Sequence, residues 1–142
     1  MAAHPQGVVP MLAYADGAEA MSWLSSTFGF EERERWLDAN GVLSHGEMST
    51  GHGLIMLATP TPDYEGPRLH RSHCAAAAAW SAAPWVIDGV LVYVDDLAAH
   101  FEHAKAAGAS LLSGIETGPD GSRLYRVEDL EGHRWMFMQA DN

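Results

Sequence analysis

The sequence predicts an α+β fold built from two copies of one small module, and two repeated features support this prediction. Residues 51–57 (GHGLIML) return about 80 residues later as residues 132–138 (GHRWMFM). The start of each module recurs as well, because residues 14–18 (YADGA) are echoed by residues 94–98 (VDDLA). Segments that recur in the same order at a fixed spacing indicate an internal repeat. Each half is therefore expected to contain a strand, a helix and further strands, with any functional site where the copies meet.

The first half begins with a predicted strand at residues 8–14 and continues with an amphipathic helix. Asp16 is a good N-cap, and Glu19 three residues later completes the pattern of a capping box. Apolar residues then recur at helical spacing as far as Phe28, and Gly29 can end the helix in a left-handed conformation. Strands are expected at residues 30–37, 42–49 and 54–59, with Asn40-Gly41 as the hairpin turn between the first two.

Residues 60–86 interrupt the pattern with a Pro- and Gly-containing loop, followed by a short Ala-rich helix that Ser72 could cap. In the second half Asp96 can cap a helix that Gly108 ends. Strands are predicted at residues 89–94, 111–116, 123–127 and 135–139. We therefore expect one domain over residues 1–142, with module one at about 8–59, a linker and short helix at 60–86, and module two at about 87–140.

Composition excludes several classes of partner. The 142 residues carry a formal net charge of −11, which disfavours nucleic acid and anionic membrane, since both bind clustered Lys and Arg. Cys74 is the single cysteine, so an internal disulfide cannot form. The N-terminus lacks the pattern of a signal peptide, and we expect a cytoplasmic protein. Nucleotide-binding glycine patterns, CxxC pairs and serine nucleophile elbows are absent from the sequence.

Several segments in this order resemble the glyoxalase/bleomycin-resistance/extradiol-dioxygenase superfamily, also called vicinal oxygen chelate. They are the helix end at residues 28–30 (FGF) and residues 128–135 (EDLEGHRW). Residues 45–47 (HGE), 67–71 (PRLHR) and 89–96 (GVLVYVDD) are similar to its bleomycin-resistance-like, PhnB-like branch. The resemblance implies tandem βαβββ modules with curved mixed sheets around a cavity and helices outside. It also implies a homodimer.

The same resemblance argues against the usual metal site. Metal-using members place one ligand on the first strand of each module and another on the last. Those positions fall near Val9 and Ile55 in module one, and near Gly89 and Met136 in module two, and none of these side chains suits a divalent metal. We therefore expect no metal and no cofactor.

The expected function is metal-independent binding of a small molecule, of the resistance or sequestration type. The alternative is a metal-dependent lyase, isomerase or dioxygenase with a rearranged site. An enzyme that uses acid–base chemistry without metal, with Glu47 as its base, is a third reading, and the sequence leaves open whether any reaction is catalysed.

His45 and Glu47 are the strongest candidate pair of polar site residues in the sequence. Side chains two residues apart on a strand share one face. Ser44 and Gly46 on the opposite face are small enough to lie under a helix, which would turn the polar pair toward a cavity. We expect the pair to contact a ligand; a solvated strand face, a dimer contact and an atypical half metal site are the alternatives.

Strand alternation also predicts which side chains of the second module face the cavity and which face the helices. If Met136 faces the cavity, Trp135 and Phe137 must pack under helices. The ligand-binding residues expected on the cavity side are listed together as His45, Glu47, Leu91, Tyr93, Arg134 and Met136, with Arg123 and Tyr125 left open.

The remaining histidines have simpler interpretations. His52 and His133 occupy equivalent turns in the two copies, where backbone hydrogen bonding explains both. His70, His73 and Cys74 are spaced like zinc ligands, but no second cluster supplies the missing donors. A loop or short helix over the cavity mouth, or at a dimer interface, is the preferred interpretation. Asp95, Asp96, Asp129 and Glu131 are expected to cap helices and turns.

Overall fold

The computed structural model describes residues 7–85 and 88–141 and contains two mixed sheets. The first module comprises β1 (Met11–Ala13), α1 (Gly17–Phe28), β2 (Glu31–Leu37), β3 (Leu43–Ser49) and β4 (Leu54–Ala58). An insert carries α2 (Pro67–Ser72) and α3 (Ala75–Trp80). The second module comprises β5 (Gly89–Val94), α4 (Leu97–Ala106), β6 (Ser110–Leu111), β7 (Glu116–Thr117), β8 (Arg123–Glu128) and β9 (Arg134–Gln139). The predicted start of module two at residue 87, and the end of the linker at residue 86, lie outside the described residues.

The two sheets have the same strand order. The first runs β1-β4-β3-β2, and the second runs β5-β9-β8-β6, with β7 also paired to β8. In each sheet the first and last strands of the module pair in parallel, and the other neighbours are antiparallel. The sheets are not closed into a barrel. The α+β fold class with tandem βαβββ modules is thus confirmed.

Local sequence explains where the main helices begin and end. The Asp16 carboxylate accepts a hydrogen bond from the Glu19 backbone N–H at 3.1 Å, and Asp96 caps α4 in the same way. Gly29 ends α1 with φ of 76°. The predicted capping box differs in one partner, because the backbone N–H of Asp16 donates to Glu131 at 2.9 Å. A carboxylate of the second module therefore completes the cap of the first helix.

Two predicted elements differ in part from the structure. The Ala-rich helix is present as α3, but its N-cap is Cys74 and not Ser72. A separate helix, α2, already starts at Pro67, which suits a first helical turn because proline has no N–H that would remain unpaired there. Its end at Ser72 and the N-cap at Cys74 then divide the insert into two helices. The single strand predicted at residues 111–116 is interrupted, because the N–H groups of Leu112 and Ser113 both donate to the carbonyl of Arg126. That bulge separates β6 from β7.

One apolar core joins the helix-bearing faces of both sheets. Helix α1 contacts α4, and the Phe28 ring lies 5.7 Å from Trp135 and 4.8 Å from Phe137 between centroids. Trp135 and Phe137 are buried, as predicted. We call the opposite side of each sheet its open face, because it carries neither α1 nor α4. None of the described helices is both long and apolar enough to cross a membrane.

Candidate functional site

His45 and Glu47 lie on the open face of the first sheet. Their neighbours on the helix side fix this orientation: a β-carbon on Gly46 would meet Met21 of α1, and Arg35 donates to Ser22 of α1 at 3.2 Å. His45 Nε2 lies 3.0 Å from Glu47 Oε1. The Glu47 side chain is 5 % exposed and that of His45 is 27 % exposed. The imidazole therefore covers a nearly buried carboxylate.

Strand β2 adds two further side chains to this pair. Trp36 pairs with His45 and Glu34 pairs with Glu47, so all four share the open face. The rings of Trp36 and His45 lie 4.8 Å apart, and the indole remains 57 % exposed. Glu34 Oε2 is buried and has no hydrogen-bond partner among the described residues. Two carboxylates thus oppose each other across adjacent strands, and the imidazole of His45 contacts one of them, Glu47.

This arrangement suits a ligand that supplies hydrogen-bond donors or positive charge. A buried carboxylate without a donor is costly, and like charges directly opposite each other destabilise a sheet. An exposed indole offers a flat apolar surface, and its face attracts cations. We refer to Glu34, Trp36, His45 and Glu47 as the acidic face. Glu34 was missed in the sequence, although its place opposite Glu47 follows once the hairpin register is known.

The other four predicted site residues lie on the second sheet. Leu91, Arg134 and Met136 line a groove of about 230 Å³ that also includes Trp85 and Arg126. Tyr93 and Leu91 line a neighbouring groove of about 200 Å³. Leu91 is 44 % exposed and Tyr93 is 46 % exposed. The six predicted residues are therefore divided between the acidic face and the open face of the second sheet. Tyr125, left open above, is buried in the core.

The guanidinium of Arg134 is already engaged within the protein. Its Nε and Nη2 donate to Glu128 Oε2 at 3.0 and 2.9 Å. Its Nη atoms also donate to the carbonyls of Ala83 and Ser81 at 2.9 and 2.8 Å. Arg134 therefore holds the insert against the second sheet, and only its stem is left to form groove wall.

Glu128 is the centre of an ion network that the sequence did not reveal. Arg68, Arg71 and Arg134 all donate to its carboxylate, which is 3 % exposed. Burial alone would raise the pKa of the Glu128 carboxyl, but the hydrogen bonds from Arg71, Arg134 and Arg68 outweigh burial and lower it to about 2. The network attaches α2 and residues 81–83 to the edge of the open face.

Asp129 joins the two modules through buried hydrogen bonds. Tyr14 of the first module donates its hydroxyl to Asp129 Oδ2 at 2.5 Å, and Trp135 donates at 3.0 Å. Asp129 Oδ1 accepts from the backbone N–H groups of Glu131 and His133 at 3.0 Å each. Burial, and then the nearby Asp129 carboxylate, raise the pKa of Tyr14. Asp129 is thus a turn residue, as expected, and through Tyr14 it is also a buried polar link between the modules.

The donors do not fit the metal site of metal-using relatives. Leu91 and Met11 occupy equivalent positions on the first strands of the two modules. Leu91 pairs with Met136 and Met11 pairs with Met56, so Met56 is the residue of module one that corresponds to Met136. The assignment of this position to Ile55 was wrong by one residue, and Ile55 is buried at 2 % exposure. Thioethers and apolar groups are poor ligands for hard divalent ions. Across residues 7–85 and 88–141, no group of three His, Cys, Asp or Glu side chains could hold a metal ion.

The histidines at residues 52, 70, 73 and 133 have partners within the protein. His73 lies 2.8 Å from Glu65, His52 lies 2.8 Å from Asp95, and Cys74 is the N-cap of α3. His133 Nε2 lies 2.6 Å from the carbonyl oxygen of Ala13, so its role is structural, but the imidazoles of His52 and His133 both contact the other module and do not bond within their own turns as predicted. His70 contacts the ring of His73, with 5.8 Å between centroids.

Comparisons with known proteins agree with this fold. The sequence profile of the Glyoxalase/Bleomycin resistance protein/Dioxygenase superfamily matches residues 7–137. TioX from Micromonospora sp. ML1 is 31% identical, with a TM-score of 0.70, 96% of this chain covered and 98% of TioX. A comparison with curated protein sequences found no significant match.

Two further solved structures are more distant in sequence. A bleomycin resistance determinant encoded on the transposon Tn5 is 18% identical, with a TM-score of 0.64, 96% of this chain covered and 99% of that protein. A bleomycin-binding protein from bleomycin-producing Streptomyces verticillus, solved with copper(II)-bleomycin, is 18% identical, with a TM-score of 0.61, 96% of this chain covered and 97% of that protein. The profile match covers nearly the whole chain. This chain therefore belongs to the Glyoxalase/Bleomycin resistance protein/Dioxygenase superfamily.

Proposed function

We propose that this protein binds a small molecule without a metal, as a resistance or sequestration protein does. One observation carries the proposal: Glu34 and Glu47 oppose each other beside the exposed indole of Trp36, and His45 contacts Glu47 while Glu34 Oε2 is buried without a hydrogen-bond partner among the described residues. A planar molecule with an ammonium or another donor group would satisfy both the carboxylates and the aromatic surface. The two bleomycin-binding and bleomycin-resistance structures support small-molecule binding as the class of function.

We further propose that Leu91, Tyr93, Arg134 and Met136 contribute to the same ligand site in a homodimer. Large apolar side chains remain uncovered on both open faces: Met11 is 81 % exposed, and Trp36, Leu91 and Tyr93 are each more than 40 % exposed. Exposed apolar patches are typical of interaction surfaces. A second copy would cover them and bring the two open faces together. Light scattering should give twice the 15.4 kDa chain mass, and a mass near 15.4 kDa would refute the dimer.

The ligand preference of the acidic face can be tested with three probes that share one ring system. They are naphthalen-2-ylmethylammonium, 2-naphthamide and 2-naphthoate, which are positive, neutral and negative. Calorimetric titration should show the ammonium probe binding more tightly than the amide. Glu34→Gln and Glu47→Gln should each weaken it by about 1–3 kcal/mol, which is roughly 5- to 150-fold in Kd.

A matched control is Glu102→Gln, because Glu102 is exposed on α4. It removes the same charge from the chain and should leave the affinity for the ammonium probe unchanged. The proposal fails if the amide binds as tightly as the ammonium probe. It also fails if Glu102→Gln weakens binding as much as Glu47→Gln, because the effect would then reflect net charge alone.

A further inference from the structure

A second cluster of charge, opposite in sign to the acidic face, lies where the insert meets the second sheet. Here Arg68, Arg71, Arg134 and Glu128 line a groove of about 580 Å³, together with Ser81 and Ser110. We call it the arginine groove. Three positive groups and one negative group give it a formal charge of +2, although the whole chain carries −11. Three of the eight basic residues of the chain are gathered in it.

Glu128 does not use all the donors of these arginines. Arg71 donates to Glu128 through Nη1 and Nη2, at 2.7 and 2.8 Å, which is the end-on fork of the guanidinium. Within residues 7–85 and 88–141, the hydrogen bonds of Arg68 and Arg71 all run through their Nη atoms, and the Nε–H of each has no acceptor. A guanidinium can bind an oxyanion along either of two edges. Glu128 occupies the Nη1–Nη2 edge of Arg71, so the edge that carries Nε–H is available for a second oxyanion.

Attachment of the insert accounts for only part of this cluster. Arg71 already links α2 to Glu128, and Arg134 links residues 81–83 to the same carboxylate. Arg68 adds a third positive charge; its Nη1 and Nη2 donate to the carbonyls of Leu130 and Asp129 at 2.9 and 2.7 Å, and its side chain stays 38 % exposed. The nearby carboxylates of Asp129 and Glu131 accept hydrogen bonds elsewhere, from Tyr14, Trp135 and backbone N–H groups, and they do not line the groove.

The arginine groove adjoins an apolar surface. Leu112 and Arg134 line both it and the groove of about 230 Å³ that contains Trp85, Leu91 and Met136. Trp85 is 74 % exposed. A molecule with an anionic group at one end could therefore place its charge on the arginines and its apolar body along the neighbouring groove.

We propose that the arginine groove binds the carboxylate or phosphate group of a small molecule, with Arg68 and Arg71 as the main contacts. The arginines of this site lie apart from the acidic face, and anion binding by them does not require it, although the neighbouring apolar groove shares Leu91, Arg134 and Met136 with the ligand site proposed above. The two sites should have opposite charge preferences, since one carries two carboxylates and the other a surplus of guanidinium groups.

The test uses 2-naphthoate and inorganic phosphate on the full chain. We expect 2-naphthoate to bind at least tenfold more tightly than 2-naphthamide, and Arg71→Gln to remove that difference. Arg123→Gln is the control, because Arg123 is exposed at the start of β8 and its substitution removes the same charge. Tighter binding of 2-naphthoate than of phosphate would identify a carboxylate ligand with an apolar body, and the reverse order would identify a phosphate ligand.

Three results would overturn the proposal: neither anion binds, acid and amide bind equally, or Arg71→Gln has no more effect than Arg123→Gln. If Arg71→Gln fails to fold, nuclear magnetic resonance of the wild-type protein provides the same test. The Nε–H signals of Arg68 and Arg71 should then shift saturably with the anion, and unshifted signals would contradict the proposal. Glu47→Gln should leave 2-naphthoate affinity unchanged, so failure here is distinguishable from failure at the acidic face.

Discussion

Gly46 lies so close to Met21 that a β-carbon on the glycine would come within 2.7 Å of the methionine sulfur. This contact presses β3 against α1 and turns His45 and Glu47 to the other side of the sheet. We predict that Gly46→Ala destabilises the protein by about 1–3 kcal/mol, because overpacking a filled core forces its neighbours to move. Chemical denaturation measures the change.

The matched control for this substitution is Gly114→Ala. A β-carbon on Gly114 would have no neighbour within 4 Å, and its φ is not positive. The loss of chain flexibility in the unfolded state should make this change neutral or slightly stabilising. Equal destabilisation by both substitutions would show that crowding by Met21 is not the cause.

Asp129 is predicted to be the most sensitive carboxylate at the junction of the modules. Each carboxylate oxygen of Asp129 accepts two hydrogen bonds: Oδ2 from Tyr14 and Trp135, and Oδ1 from two backbone N–H groups. Asp129→Asn would replace one of these oxygens by an N–H₂ group, which cannot accept from either pair of donors. Leaving such buried donors unpaired should cost about 2–3 kcal/mol of unfolding free energy. Asp120→Asn in an exposed turn should change stability by no more than about 0.5 kcal/mol, and a similar loss in both would contradict this role.

Acid should weaken the protein through Glu128. Its pKa in the folded state is lowered to about 2 from an ordinary value of 4.5, so its contribution is fully present above pH 4.5. That contribution, about 3 kcal/mol, is lost as the pH falls from 4.5 toward 2. Glu128→Gln should be less stable at pH 7 and should show a flatter dependence of stability on pH in this window. An unchanged slope would be inconsistent with the network.

His100 should produce a separate effect at higher pH. Its Nδ1 lies 2.6 Å from the Tyr125 hydroxyl and its Nε2 lies 2.9 Å from the carbonyl oxygen of Phe28. Burial lowers the pKa of His100 below 6.5. The hydrogen bond to the Phe28 carbonyl raises this pKa in part, and the nearby His103 lowers it further. The unfolded chain then binds more protons, so stability should decline as the pH drops below 6.5. Comparing wild type with His100→Asn at pH 7.5 and 5.5 should show a smaller decline in the variant.

The sequence predicted much of the fold because the relevant signals are local. Helix caps, turn glycines and strand alternation each act within a few residues, and they correctly placed α1, α4 and the buried Trp135 and Phe137. The small side chain of Gly46 likewise indicated which side of β3 carries a helix. Contacts of this kind can be inferred from spacing alone.

The missed features depend on register or on distant chain segments. A two-residue turn at Asn40-Gly41 would already place Glu34 opposite Glu47, so this pairing could have been inferred from the hairpin register but was not. The error at Ile55 arose because the β3–β4 turn spans residues 50–53 whereas the β8–β9 turn spans 129–133, one residue longer. The Glu128 network joins residues about 60 positions apart, which no local pattern connects.

The most direct test of the central claim is calorimetric titration of the naphthalen-2-ylmethylammonium probe into protein depleted of metal by a chelator. Binding without metal predicts the same Kd before and after depletion, and no gain when Zn²⁺, Mn²⁺ or Ni²⁺ is added. Because the carboxylates of Glu34 and Glu47 supply the recognition, their glutamine variants should weaken binding in the depleted protein as well. Loss of binding after depletion and its recovery on adding one equivalent of metal would contradict the account.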